Sequence, residues 1–409
     1  MIRTTKIAIL MAAGITAPAL PVTQAAKKLK VLVVNETLGK TGISVFSDNV
    51  YKQLIRNNIP AIALIAEKNN ALRAEYDALK LPYHTFPCTK RQAHGLLIKQ
   101  LATIMQTICT KENITIIHGN NHIFNPEGMA AAKLVAKKIP VKVVATIHSE
   151  PDCCKVPFKG LDGVISIGPA VGRLADSIDT KEKTGVHHRM WIAPFFDQER
   201  FLSFVPTQRE TRRQFFKNTF NIVLSDDVPV ISMVAQFYKT PTFKNHDLLL
   251  RALHKLVYVL KKPAYVIFAG AGVSLAAKQQ LSRELDLSQH VFFVGQTDQV
   301  PALLYHSDIC ALTGKSEAFG IALLEAALMQ KPLIGTRGTG MEALVRHGHT
   351  GLLFESGNVD DLTKQIVTLL DDAVLRKKLG QQAHAYARDH FSADAVFKKL
   401  VAFYDRVLG

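Results

Sequence analysis

A chain of 409 residues, 48% hydrophobic and 21% charged, has room for two domains that each bury a core. It shows neither low-complexity stretches nor a solenoid-period repeat. Its formal charge of +16 favours acidic partners (a nucleotide diphosphate, an anionic lipid headgroup or an acidic glycan), although any one basic pair, such as Lys137-Lys138 or Arg212-Arg213, reads as a solvated helix face. Nucleic acid is not expected, because no binding motif accompanies the charge and Trp191 is the only tryptophan.

Taken in chain order, Arg3 and Lys6 precede the apolar run Ile7–Ala17, and a small-residue stretch broken by proline continues to Ala26. Residues 1–26 read as a signal peptide or a membrane-associating segment, too short in their apolar part to span a bilayer. From Leu29 to Asn35 a short β-branched run is apolar on both faces, as a buried parallel strand requires. Similar runs cover 61–65, 114–117, 141–147 and 164–167, with helical patterns between them, as at 45–56 and 126–138. Strands alternating with helices predict a doubly wound parallel sheet.

The polar stretch 197–227 then changes character, and a second series follows at 228–234, 264–269, 291–294, 309–312 and 332–334. The segment Thr89–Ile108 carries a stripe of Leu97, Leu101, Ile104 and Ile108 beside Lys90, Arg91 and Lys99. Such a stripe packs on the sheet more often than it docks on a membrane. The five cysteines, Cys88, Cys109, Cys153, Cys154 and Cys310, fit neither a disulfide framework nor a zinc site by number and spacing.

The chemistry concentrates in Lys315-Ser-Glu-Ala-Phe-Gly-Ile-Ala-Leu-Leu-Glu325, followed by Gly335-Thr-Arg-Gly-Thr-Gly340 and Glu342. A Phe-Gly at a strand-to-helix turn aims backbone N–H groups and the positive end of a helix dipole at an anion. Glu317 falls in the loop and Glu325 about two turns down the helix. Acidic side chains beside an anion site suit a ligand with both phosphate and many hydroxyls, such as a nucleotide sugar. The apolar run between the two glutamates has to be buried, which argues against a simply solvated helix. As a hydrolase pair the two would need to face one bond at about 5 Å, which a loop–helix placement disfavours.

In this segment the chain resembles the retaining glycosyltransferases of group 1, or family 4, with the GT-B fold. The spaced glutamates match that family's E-x7-E signature. The likeness extends through Lys331-Pro-Leu-Ile-Gly335, His349-Thr-Gly351 and Leu352-Leu-Phe354. Upstream, Phe243-Lys-Asn-His-Asp247 resembles its lysine-bearing loop and Phe268-Ala-Gly-Ala-Gly272 its glycine turn. The likeness is strong over 228–372 and thinner over 30–201. It implies an α/β chain of GT-B type, two Rossmann-like doubly wound parallel-sheet domains facing across a cleft. The expected boundaries are 27–200 for an acceptor domain, 201–390 for a nucleotide-sugar donor domain, and 391–409 for a C-terminal helix crossing back to the first.

What the resemblance implies for single residues is specific. Lys244 neutralises the donor diphosphate, with the N–H groups of Phe319 and Gly320 facing the same group. Glu325 accepts from the ribose hydroxyls, and Glu317 lies near a hydroxyl of the transferred sugar. Gly270 belongs to the glycine turn of the donor site. His148, at the carboxyl edge of a strand, matches the family's histidine near donor sugar and acceptor; read alone it would be a satisfied edge histidine. His118 and His122 also lie near a strand end, linked to the site only by context. Gly39 and Gly42 occupy the loop facing acceptor and donor phosphate, where the family usually has adjacent glycines. Gln236 stands where the family often places an arginine, leaving Lys239 to compensate or the donor more weakly held.

The implied activity is metal-independent, retaining transfer of a hexosyl-type unit from a nucleotide-diphosphate sugar to a glycan or lipid-linked acceptor, as in lipopolysaccharide biosynthesis. No cofactor is expected beyond the donor substrate. The expected setting is the cytoplasm or the cytoplasmic face of the membrane with peripheral contact, and the N-terminal segment leaves export open. The alternative is a nucleotide-sugar-binding GT-B protein with little or no activity, an interaction module, for which Gln236 is the sole support. Donor base, acceptor and oligomeric state are not legible.

Overall fold

Buried apolar strands set the architecture. In the computed structural model, residues 28–35, 42–87, 94–120, 127–148, 158–182, 185–194, 198–204 and 210–409 are described. The chain divides into two units, Met1–Phe196 with Ala393–Gly409, and Asp197–Ser392.

In the first unit the strands are β1 (Val31–Asn35), β2 (Ala61–Ala66), β3 (Tyr83–Phe86), β4 (Ile116–Asn120), β5 (Lys142–Ile147), β6 (Gly163–Ser166) and β7 (His188–Trp191). They form a parallel sheet in the order β3-β2-β1-β4-β5-β6-β7. Every residue of β1 and β4 is buried, as helices on both faces of a parallel sheet demand. Strand order reverses direction between β1 and β4, which makes their carboxyl ends the topological switch point. The edge strands β3 and β7 are only half-buried.

The helix His94–Glu112 packs against Glu127–Ala136. Leu101 and Ile108 of its apolar stripe are buried, so that stripe belongs to the core. Lys90 and Arg91 lie outside the described residues. The last helix, Ala393–Leu408, belongs to this unit and seats its aromatic side on β6 and β4. A Cβ at Gly163 would come within 2.8 Å of the Phe403 ring, so only glycine admits the helix so close. Tyr404 is fully buried and its hydroxyl meets His118 Nδ1 at 2.5 Å, while His118 Nε2 meets Thr146 Oγ1 at 2.7 Å. Burial holds the His118 imidazole down at about 3, so it is neutral and ties helix to sheet.

The second unit repeats the plan with β8 (Val230–Val234), β9 (Tyr265–Ala269), β10 (Val291–Gly295), β11 (Ile309–Ala311), β12 (Leu333–Thr336) and β13 (Gly351–Phe354), all parallel in the order β10-β9-β8-β11-β12-β13. Here the switch point lies between β8 and β11. The free cysteines Cys109 and Cys310 are buried, and burial pushes both thiols up to about 12. Among the described residues no helix is long and apolar enough to cross a membrane.

Candidate functional site

The loops after β8 and β11 meet at the switch point of the second unit. The short helix Pro241–Lys244 follows β8, Asn245 turns the chain in the left-handed region at φ 54°, and helix His246–His254 begins. Thr313, just past β11, donates its hydroxyl to the carbonyls of Lys244 (3.2 Å) and Asn245 (2.9 Å). Gly314 makes that approach possible, since a Cβ there would lie 2.5 Å from the Phe243 carbonyl. His246 stacks on Phe237 with ring centroids 4.1 Å apart, and burial lowers its imidazole to about 4.

So anchored, Lys244 donates from Nζ to Glu317 Oε2 at 2.5 Å. Their side chains are only 17% and 13% exposed, which strengthens the pair relative to one in open water. The structure therefore joins two residues to which the resemblance assigns separate tasks. Glu317 is fixed from behind as well: Gly340 N–H donates to its carbonyl at 2.7 Å, and a Cβ at Gly340 would lie 1.7 Å from the Ala318 carbonyl oxygen. Glu342 accepts from Gly338 N–H at 2.7 Å, closing the turn after β12.

Gly320, at φ 90°, provides the left-handed turn that starts helix Ile321–Leu328. Phe319 buries its ring edge-on against Phe391 at 5.2 Å, so its side chain is an anchor. Glu325 lies on the same helix, and no hydrogen bond or ion pair holds its carboxylate among the described residues. Burial pushes it up to about 7, with Arg200 opposing the rise. A carboxylate so placed gains from hydroxyl donors that replace its lost water.

Gln236 is exposed beside Gly270. The demand for glycine at 270 comes from the protein itself: at φ 146°, a Cβ there would sit 2.1 Å from the Ala235 carbonyl oxygen. Hydrogen bonds from Ala235 N–H to the Ala269 carbonyl and from Phe237 N–H to the Ala271 carbonyl, each 2.9 Å, zip the two segments together.

In the first unit, His148 follows β5 at the carboxyl edge and is buried. Its Nε2 donates to Asn120 Oδ1 at 2.8 Å, and Asn120 Nδ2 donates to Ser47 Oγ at 2.8 Å. Phe46 meets the imidazole edge-on at 5.3 Å. Gly42 opens the helix Gly42–Arg56 that carries Phe46 and Ser47, while Gly39 and His122 lie outside the described residues. Sequence reasoning missed Ser47, Asn120, Thr313 and Gly314. The only available signal for Asn120 was a polar residue ending an apolar strand.

Comparison with known proteins adds three findings. Residues 214–386 match the family model described as glycosyl transferases group 1. Over 311 residues the chain is 24% identical to the N-acetyl-alpha-D-glucosaminyl L-malate synthase of Bacillus anthracis, spanning 75% of this chain and 79% of that protein. Among solved structures, a glycosyltransferase from Rickettsia africae aligns with a TM-score of 0.75 at 19% identity, covering 93% of this chain and 98% of that one. The Anabaena protein Alr3699/HepE, solved in complex with UDP, aligns with a TM-score of 0.74 at 16% identity, covering 92% and 100%.

Proposed function

The chain is a group 1 glycosyltransferase of GT-B fold, built from two Rossmann-like parallel-sheet units, and we propose that it moves a sugar from a nucleotide-diphosphate donor to a glycan or lipid-linked acceptor, with retention of anomeric configuration and without a metal ion. The observation that carries this is the union of Lys244 and Glu317 beside the Gly320 turn, at the carboxyl ends of β8 and β11. A cation, a helix start and two carboxylates at one switch point suit a ligand that is part phosphate and part polyol.

In this reading the donor diphosphate draws Lys244 away from Glu317, and the Phe319–Gly320 backbone shares its charge. Glu325 takes the ribose hydroxyls, and Glu317, released from the lysine, accepts from the transferred sugar. The bond from the anomeric carbon to the diphosphate oxygen breaks, and the acceptor oxygen bonds to the same face of that carbon. The acceptor's proton passes to the departing phosphate. Lys244 and the helix start stabilise charge that grows on the leaving group, the usual gain from preorganised electrostatics. The UDP complex of the Anabaena protein supports UDP as the first nucleotide to try. The inactive-module reading is not favoured, since Gln236 was its sole support.

The test is a thermal-shift screen of the protein against UDP-, GDP- and ADP-sugars, with Glu325→Ala alongside. A shift with one nucleotide family, lost in the variant, is the expected result. No shift with any donor in a folded sample would overturn the assignment.

A further inference from the structure

We infer that the cavity between helix Pro169–Glu182 and the outer strands β6 and β7 of the first unit is a binding site for a phosphorylated monosaccharide, with Arg173 on the phosphate and the Ser166 hydroxyl on the sugar. The inference goes beyond the transfer reading and does not rest on it, because every residue it uses belongs to the first unit.

The cavity holds about 270 Å³, below the roughly 300–1,000 Å³ of pockets for drug-sized ligands, which sets its occupant at about one sugar ring with a substituent. Its strand side follows from register. Val164 pairs with Arg189 and Ser166 with Trp191, so these four side chains share the sheet face that the helix covers. Ser166 is 3% exposed, and among the described residues its hydroxyl has no hydrogen-bond partner. A hydroxyl so buried costs free energy until it finds one. Gly172 leaves it uncovered toward the cavity, since a Cβ there would stand 2.9 Å from Ser166 Oγ.

Charge selects the other half of the ligand. Among the described residues, the two guanidiniums of Arg173 and Arg189 line the cavity against the one carboxylate of Asp176. Arg189 donates to Asp176 at 3.2 Å and to the Val186 carbonyl at 2.8 Å, so that pair is occupied. Arg173 is exposed and makes no side-chain hydrogen bond or ion pair among the described residues, which leaves its charge uncompensated at the mouth. Pro169, which also lines the cavity, is the first residue of a 14-residue helix, so the positive end of that helix adds to the same field. On the last helix, Lys399 lies 5.5 Å from the Trp191 ring centroid and Arg406 meets Met190 Sδ at 3.5 Å, so cations flank β7 as well. A guanidinium and a helix start favour a doubly charged oxyanion, and a buried hydroxyl beside them favours a polyol.

Trp191 is the only tryptophan of the chain and lines the cavity, so its emission reads this site directly. The experiment titrates the full chain with glucose 6-phosphate at constant ionic strength and follows that emission, with glucose, glucuronate and inorganic phosphate in parallel titrations. A saturable change with glucose 6-phosphate is expected, at least about 10-fold tighter than with any of the other three, since each of them lacks one half of the recognised chemistry. Arg173→Gln should weaken binding by about 10- to 100-fold, the range for losing a hydrogen bond to a charged group, and Ser166→Ala by about 3- to 10-fold, the range for a neutral one. Circular dichroism and a thermal midpoint confirm that each sample is folded. No saturable change in the folded wild type would overturn the inference, as would undiminished binding in Arg173→Gln. Equal affinity for inorganic phosphate or for glucuronate would overturn the sugar phosphate as ligand. Unchanged binding in Ser166→Ala would overturn the part given to the hydroxyl.

Discussion

The two switch points share a topology and differ in chemistry. At β1/β4 the side chains are polar and lie in a chain of hydrogen bonds: His148, Asn120 and Ser47 are linked under the edge of Phe46. At β8/β11 they are charged, with Lys244 on Glu317 and Glu325 without a cation in contact among the described residues. A chain of hydrogen bonds between polar side chains holds a ring in one orientation. A charged cluster attracts phosphate and can exchange partners when one arrives. The same doubly wound sheet thus carries a hydrogen-bonded network in one unit and a charged cluster in the other.

The sharpest way to break that contrast is to remove charge from the second unit. Lys244→Ala should lower kcat/KM by about 10²- to 10³-fold, the range for losing a preorganised charge on a leaving group. Glu325→Ala should lower it by about 10²-fold, mainly through donor KM. Steady-state kinetics on both variants checks this, and wild-type values in Lys244→Ala would move the charge-handling role elsewhere.

Next in size is a backbone effect. Gly340→Ala places a methyl 1.7 Å from the Ala318 carbonyl oxygen, so the turn behind Glu317 has to shift. A cost of about 1–3 kcal/mol is expected, as for other overpacked sites. Denaturant unfolding of the variant measures it. Unchanged stability would show that the turn yields without strain.

The contrast also extends to pH. His118 is neutral when folded, with its imidazole at about 3, and the unfolded chain binds a proton below the ordinary 6.5. Its contribution is therefore whole above pH 6.5 and is lost as pH falls toward 3. His246, at about 4, acts in the same sense in the second unit. His118→Asn should flatten the acid-side fall in thermal midpoint, leaving the smaller slope from His246. An equally steep fall in the variant would assign the acid sensitivity to other groups.

How much of this was legible follows from burial. The runs giving β1, β8 and β9 stand out because strands covered on both faces are mostly apolar. Tyr83–Phe86 and His188–Trp191 do not stand out in the sequence because edge strands are half-buried and carry mixed residues. Gly351–Phe354 is fully buried but only four residues long. The Phe-Gly turn and both glutamates were legible because one continuous segment encodes them. The Lys244–Glu317 pair was not, since its partners are separated by 73 positions and meet only through the order of β8 and β11. Asn120 and Ser47 were illegible for the same reason: nothing in the sequence shows which strand ends and helix turns become neighbours.

The smallest predicted effect tests the edge of the charged cluster. Gln236 is exposed at the end of β8, and its backbone nitrogen lies 3.5 Å from where a Cβ on Gly270 would stand. Gln236→Arg adds a cation there without disturbing packing, so stability should stay within about 0.5 kcal/mol, as for most surface changes. If this position faces the diphosphate, donor affinity should hold or rise by up to about 5-fold, and the gain should shrink as salt is raised, because an exposed charge is screened over a Debye length. Titration of the effective nucleotide sugar at low and high ionic strength measures both. A folded variant that loses donor binding would place the phosphate away from β8 and leave Lys244 as the cation that meets it.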